Sequence, residues 1–435
     1  MRAVTTLKIL LLACAIHSPL VEGGEPPQPT ADRSPKRPNI VLFLADDIGI
    51  SGISCYGSDS FKTPHIDQLA ADGIRFDFGF SHPVCGPSRV CLMTGRYPFR
   101  TGGLGNRSSQ QVSPLDQMPV SRLLQKAGYA TFATGKWPWL GHMEDADAWG
   151  FDEMATWRSY NTPDRYWDPN LYINGKKRGF PGKYGPDIMQ DAIFAFIDKS
   201  RERSPGKPFF VYYPSVFPHS PNIHTPDSKS SQISRAEKYR DMIAYMDKQV
   251  GDLRARLAER GLAESTLIIF LSDNGSVTSF KEFIDGKVVH GGKAQIADGG
   301  VRVPWICYWP GTIKPGRTTD ALVDFSDLFP TILDVAEVNM ADRPQVDGRS
   351  FACLLRGEPF QAREWVFYQV ENKYAVREHL WKLDHTDTLF DMRHSPHEEI
   401  PVGPIGDSDS KKAFARLKAV VDSLDPLKSL PRARQ

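Results

Sequence analysis

The chain is expected to fold as an α/β protein. A large mixed, mostly parallel sheet would be sandwiched by helices and followed by a small C-terminal α+β subdomain. Three observations lead there. First, residues 39–45, 130–134, 209–213 and 266–271 are short apolar runs, continuous rather than alternating, as in strands covered on both faces. Second, helical patterns lie between them. Residues 65–72 end at Gly73, a helix stop, and residues 235–260 carry Tyr239, Met242, Ile243, Met246, Val250 and Leu253 at helical spacing before Gly261. Third, the pattern changes near residue 361. Short strand-like pieces at 365–369 and 373–376 precede a helical pattern across 411–424.

Taken in order, the elements divide the chain into four parts. Arg2 and Lys8 stand before the apolar run 9–16, and small residues come after it around Gly23-Gly24; residues 1–24 read as a signal peptide. That run is too short to span a bilayer. Leu11-Leu-Ala-Cys14 also fits a lipoprotein cleavage box, which would make Cys14 a lipidated residue. Either way the protein is expected to be exported, periplasmic or secreted. A Pro-rich linker covers 25–37, a catalytic domain 38–360, and the α+β subdomain 361–435. No other segment is apolar and long enough to cross a membrane.

Composition narrows the class. The 435 residues are 40% hydrophobic and 24% charged, which excludes disordered, collagenous and coiled-coil chains. Lys+Arg is 53 and Asp+Glu is 52, a net charge of +1 without the broad basic field of a nucleic-acid binder. Cysteines at 14, 55, 85, 91, 307 and 353 are too sparse for a disulfide scaffold and form no CxxC pair.

In open α/β sheets, sites form outside the carboxyl ends of the strands. Strand 39–45 runs into Asp46-Asp47, and strand 130–134 into Gly135-Lys136. Strand 209–213 leads to Pro218-His219-Ser220, and strand 266–271 to Ser272-Asp273-Asn274-Gly275. Three carboxylates and an amide oxygen make a hard-oxygen set suited to Ca²⁺ or Mg²⁺. An Asp after a strand is also a common helix cap and Asn-Gly a common turn, so the convergence carries the reading rather than any one residue.

Cys85-Gly-Pro-Ser-Arg89 lies just before Val90-Cys-Leu-Met-Thr94, which reads as a helix ended by Gly95. Cys85 would sit at a helix N-terminus, where free N–H groups favour anions, and Arg89 would add a bidentate oxyanion donor. A thiolate nucleophile activated by the helix dipole is one reading, and a small buried hydrophobe the other. On the residues alone this is an anion-handling nucleophile near a divalent cation.

Here the sequence resembles the sulfatase family of the alkaline-phosphatase-like superfamily. Cys85-Gly-Pro-Ser-Arg89 with Thr94-Gly-Arg96 resembles its signature. Pro38 to Asp47, Thr63 to Ala70, Leu271 to Gly275, Gly292-Lys293, Gly299 to Pro304, Asp324 to Thr331 and Trp381-Lys-Leu383 resemble its other motifs in order. The resemblance implies a sulfate-ester hydrolase acting on an aryl or carbohydrate ester. Cys85 would be oxidised to formylglycine by a maturase during synthesis, and one hydroxyl of its hydrate would attack sulfur. The second would expel sulfate and restore the aldehyde. Asp46, Asp47, Asp273 and Asn274, with residue 85, would hold one Ca²⁺ per chain. Arg89, Lys136, His219 and Lys293 would neutralise the sulfonyl oxygens, with His219 or Lys293 protonating the leaving oxygen.

One departure stands out. Gly135-Lys-Trp-Pro-Trp-Leu-Gly141 has Pro138-Trp139 where the family pattern has a single His, and the nearby His142 is a candidate substitute. Trp137 and Trp139 are read as core or as a pocket floor for a sugar or aryl ring. Asp298-Gly299 replaces the family's Glu-Gly. A phosphomonoester or phosphonate hydrolase of the same superfamily, and a catalytically silent binder of sulfated glycans, remain alternatives. Asn106-Arg-Ser108 and Asn274-Gly-Ser276 match glycosylation acceptors, the second by chance if Asn274 is a buried ligand. The basic stretch 170–190 is read as solvated surface or as a cleft wall for a polyanion. Cys91 is read as packing on the helix of Cys85.

Overall fold

The computed structural model describes residues 37–137, 148–158, 164–338, 344–403 and 406–428. Residues 1–36 lie outside these, and so do Pro138, Trp139 and His142. The expectations placed on the signal, on Cys14 and on the departure after Trp137 therefore fall outside the described residues.

The main sheet has ten strands. In chain order they are β1 (Asn39–Ala45), β2 (Ile74–Phe76), β3 (Ala130–Lys136), β4 (Glu153–Trp157), β5 (Asn170–Ile173), β6 (Lys176–Gly179), β7 (Phe209–Pro214), β8 (Thr266–Ser272), β9 (Trp305–Tyr308) and β10 (Arg317–Thr319). Their spatial order is β10-β2-β9-β8-β1-β7-β3-β4-β5-β6. The central five, β8-β1-β7-β3-β4, are parallel. Antiparallel β9 joins one side and the antiparallel β5–β6 hairpin the other. The sheet is mixed and mostly parallel, as expected.

Burial reflects the apolar runs. Every residue from Ile40 to Ala45 is fully buried. Alternate side chains enter opposite cores: Ile40, Leu42 and Leu44 pack on one face, Val41, Phe43 and Ala45 on the other. On the second face lie α1 (Pro64–Ala71), α3 (Gly185–Arg203) and α4 (Arg235–Glu259). On the first lie α2 (Cys85–Thr94) and α5 (Leu328–Val335). Each buried Leu or Ile contributes about 1.5–3 kcal/mol relative to exposure, so both faces need cover.

Of the two readings of 170–190, the solvated surface is the one the β5–β6 hairpin and α3 agree with. The basic residues Lys176 to Arg178 form the exposed edge strand of the main sheet, and the stretch then enters a 19-residue helix. A charged edge strand resists pairing with another chain.

The C-terminal sheet is an antiparallel meander of β11 (Val366–Val370), β12 (Lys373–Arg377), β13 (Trp381–Asp384), β14 (Leu389–Asp391) and β15 (Ile400–Val402). Helix α6 (Ser408–Leu424) covers it with Ala413, Leu417 and Val421. Phe367, Val376, Leu383 and Leu417 join the same apolar cluster as Leu42 and Leu328. This sheet therefore shares a core with the main one.

Candidate active site

The carboxyl ends of β1, β8 and β3 converge. Asp46 and Asp47 come directly after β1, Asp273 and Asn274 directly after β8, and Lys136 is the last residue of β3. In an extended strand, successive side chains point to opposite faces. Asp47 escapes this with φ +72, a left-handed conformation that Asp tolerates better than most residues. The turn brings carboxylate oxygens of Asp46 and Asp47 and the His219 ring within 4.8 Å of one another, and Asp46, Cys85 and Asp273 form a second such group.

The charges are interlocked. Lys136 Nζ donates to Asp46 Oδ2 at 2.5 Å, and Lys293 Nζ to both Asp47 oxygens at 2.5 and 2.6 Å. Arg89 donates from Nε and Nη2 to Asp273 Oδ2 at 3.0 and 2.7 Å, and from Nη1 to the Lys136 carbonyl at 2.8 Å. Asn274 Nδ2 donates to Asp47 Oδ1 at 2.8 Å. Asp46, Arg89, Asp273 and Asn274 are fully buried. Three carboxylates thus meet three basic side chains, with Lys293 alone of the six partly exposed, and in the buried part a lone ion would be costly.

Burial pushes Asp46 and Asp47 up, but the surrounding cations, led by Lys136 and Lys293 respectively, outweigh it and hold both below the ordinary carboxylate range. Burial and the charge of Asp46 push Asp273 up to about 7 despite Arg89. Burial works against the charge on Lys293, yet the surrounding acidic groups raise its pKa further.

Cys85 opens α2 as expected, and Gly95 closes it with φ +68. Its Sγ lies 3.6 Å from Lys136 Nζ. The thiolate reading does not survive. Burial lifts the Cys85 thiol to about 11, with Asp273 and Asp46 adding to the effect against Lys136 and Lys293. An unmodified Cys85 is a neutral thiol at physiological pH.

Arg89, expected to face the sulfonyl oxygens, here donates to Asp273 and to the Lys136 carbonyl. Its Nε and Nη2 donors both meet the single oxygen Oδ2 of Asp273, so it orders the acid cluster from α2. His219 stands five residues past β7, with Nε2 3.7 Å from Asp47 Oδ2. Burial lowers it to about 4, with Lys136 assisting and Asp46 and Asp47 opposing, so the ring is neutral at physiological pH.

Oxygen donors remain for a cation. Asp46 Oδ1 and Asn274 Oδ1 are buried with no hydrogen-bond partner. Two orphaned acceptors beside Asp47 and Asp273 are what a hard divalent ion would satisfy, so the residues fit Ca²⁺ or Mg²⁺.

Three further side chains have no role assigned by the sequence. Arg165, nearly buried, places Nη2 3.0 Å from His219 Nδ1 and also bonds the Ser220 carbonyl. Asn106 Oδ1 accepts from the Gly86 N–H at 2.9 Å, capping the helix of Cys85. Arg377 pairs with buried Asp298. Only Asn106 falls in a local pattern, and that pattern is a glycan acceptor. Buried Asn274 agrees with treating its own acceptor match as chance. Trp137 is core, packed on Phe151. Among the described residues Cys55, Cys85, Cys91, Cys307 and Cys353 are unpaired, and Cys91 is buried packing.

Comparison with known proteins agrees with this geometry. The Sulfatase family model matches residues 38–338, and the model of the N-sulphoglucosamine sulphohydrolase C-terminal region matches residues 291–424. Arylsulfatase A of Homo sapiens is 30% identical over 405 residues, covering 81% of this chain and 77% of that protein. An arylsulfatase of Hemicentrotus pulcherrimus is 28% identical over 373 residues, covering 78% of this chain, which spans 66% of that protein's length. The crystal structure of Ps i-CgsB in complex with k-i-k-neocarrahexaose matches with a TM-score of 0.77 at 27% identity, covering 92% of this chain and 94% of that one. The signature around Cys85, the acid cluster at the sheet edge and these matches together place the chain in the sulfatase family of sulfuric ester hydrolases.

Proposed function

We propose that this protein cleaves sulfate from aryl or carbohydrate esters at the site of Cys85, with one Ca²⁺ held by Asp46, Asp47, Asp273, Asn274 and residue 85. The observation that carries the reading is the pair of orphaned buried oxygens, on Asp46 and Asn274, beside two lysines, Lys136 and Lys293, that bond the neighbouring Asp46 and Asp47 carboxylates. A sulfate ester is an anion bound through oxygens, and this site offers a cation seat beside Lys136 and Lys293.

When bound, the divalent ion supplies Lewis-acid polarisation of a sulfonyl oxygen. Oxidised to formylglycine by a maturase, Cys85 would supply the hydroxyl nucleophile as the aldehyde hydrate. Lys136, 3.6 Å from Cys85 Sγ, is placed to orient that hydroxyl. Arg89 fixes Asp273 and, through the Lys136 carbonyl, the end of β3. Lys293 carries its charge to the sulfonyl oxygens. Lys293 is the charged group placed to hand a proton to the departing alcohol, while His219, steadied at Nδ1 by Arg165 and neutral, is placed to donate a hydrogen bond from Nε2.

The relatives support the two substrate classes by name: arylsulfatases on one side, a carbohydrate-bound structure on the other. Residues 1–24 would direct export. Among the described residues no helix is long and apolar enough to cross a membrane.

Parallel initial rates on a chromogenic aryl sulfate and the matching aryl phosphate, with protein made beside a maturase, test the reading. Sulfate hydrolysis is expected to dominate. Phosphate hydrolysis faster by orders of magnitude would replace the reading with a phosphoesterase.

A further inference from the structure

Asp46, Asp273, Arg89 and Lys136 ride on strand ends or on a helix. Lys293 does not. It lies between the hairpin strand Lys287–His290 and the short helix Asp298–Val301, on a loop with no ladder of its own. Sites on loops are less exact than sites on regular elements unless their surroundings hold them. Ala294, next in the chain, adopts φ +69, which costs a residue with a Cβ about 1–2 kcal/mol. Something must hold this loop.

Its near side is tied to the loop after β8 and to the turn before α2. Lys293 N–H donates to the Ser276 carbonyl at 3.1 Å, and Ala294 N–H to the Pro83 carbonyl, two residues before Cys85, at 2.8 Å. Its far side is gripped by the C-terminal sheet. Arg377, fully buried on β12, donates to Asp298 Oδ1 and Oδ2 at 2.9 and 3.1 Å. Ser395 donates to Asp298 Oδ2. Glu399 Oε1 accepts from the Asp298 N–H at 2.6 Å, while Lys382 pairs with Glu399 and reaches the Ile296 carbonyl at 3.4 Å. Arg377 is itself packed over the Phe80 ring at 5.4 Å.

We propose that the C-terminal subdomain is a positioning device for Lys293: Arg377 and Glu399 clamp the loop at Asp298 and so hold the Lys293 ammonium on Asp47. The proposal rests on the sulfatase reading for its catalytic consequence, not for the clamp itself. A buried Arg–carboxylate pair replaced by apolar residues is often neutral for stability, so stability alone does not account for keeping so many charged contacts at one loop end. Arg377, Glu399 and Lys382 touch none of the groups placed at the reacting centre. They are positioning residues.

Two measurements on the full, matured chain test this. Amide hydrogen exchange across residues 292–298 is compared in the native protein, Arg377→Met, Arg377→Lys and Glu399→Ala. Protection is expected to fall in this segment for Arg377→Met and Glu399→Ala, and to be largely kept in Arg377→Lys. Then kcat on an aryl sulfate is measured in a double-mutant cycle with Lys293→Ala. Glu399→Ala and Arg377→Met should each lower kcat by roughly tenfold to a hundredfold with Lys293 present. In the Lys293→Ala background they should change it by less than about twofold, the signature of residues acting through one partner. Where Arg377→Met fails to fold, Glu399→Ala carries the test. Unchanged exchange across 292–298, or equal losses of kcat in both backgrounds, would overturn the proposal. The exchange arm needs no turnover, so failure of the clamp is distinguishable from failure of the sulfatase reading.

Discussion

Asp273 answers to two groups at once. Its Oδ2 accepts two donors from Arg89, and its Oδ1 accepts the Asp47 N–H at 3.3 Å. Asp273→Asn keeps an oxygen for Arg89 but removes the charge that a divalent ion needs. Cation affinity measured by calorimetric titration should be lost, and kcat should fall by about 10²–10³-fold or more. Full cation-dependent turnover in that variant would remove Asp273 from the ligand set. The residues that meet here are legible in the sequence because the chemistry of an α/β sheet collects at strand ends. Asp46, Asp47, Lys136, Asp273 and Asn274 each stand at the carboxyl end of an apolar run. Arg165, Asn106 and Arg377 are not legible, because their partners lie 54, 20 and 79 residues away in sequence. Such pairs are set by the fold and leave no local spacing to read.

Elements set the precision with which those residues meet. Strand β3 reaches Lys136 only because Gly135, at φ +108, lets it pass the Pro214 carbonyl; a Cβ there would approach that oxygen to 2.0 Å. Helix α1 is held against α4 by Asp247, whose buried carboxylate accepts the His65 and Ile66 N–H groups. Burial raises Asp247 from 3.8 to about 6, against the pull of those donors. A raised pKa means the folded state holds the proton more tightly. The group therefore favours folding most at low pH, and that contribution is lost as pH climbs from about 4 through about 6. Urea unfolding of the native chain and Asp247→Asn across this window should show their stability difference moving against the native chain as pH rises. A difference independent of pH would contradict the assignment. Strands and α4 are readable from apolar runs and helical spacing. Helix α3 is masked by the basic prelude at 176–183, although Met189, Ile193, Phe194 and Ile197 carry a helical face.

At the scale of the whole molecule, two sheets share one core and one polar seam. The acid cluster sits at the edge of the larger, and the smaller closes over the loop of Lys293. A cation bound only by the folded state stabilises it by mass action, about 2.7 kcal/mol when present at a hundred times its Kd. Chelation should lower Tm, Ca²⁺ should restore it, and Asp273→Asn should show neither response by calorimetry. The fold class is visible in the order of runs and helices. The fusion of the two sheets is not, since it depends on which buried faces meet.

The central claim is that residue 85, once converted, is the sulfate-cleaving group. Peptide mass spectrometry of the segment around Cys85 gives the fraction converted to the aldehyde across preparations made with varied maturase. Turnover of an aryl sulfate should rise in proportion to that fraction and extrapolate to zero for the intact thiol. Equal turnover in preparations that keep Cys85 unmodified would contradict the account.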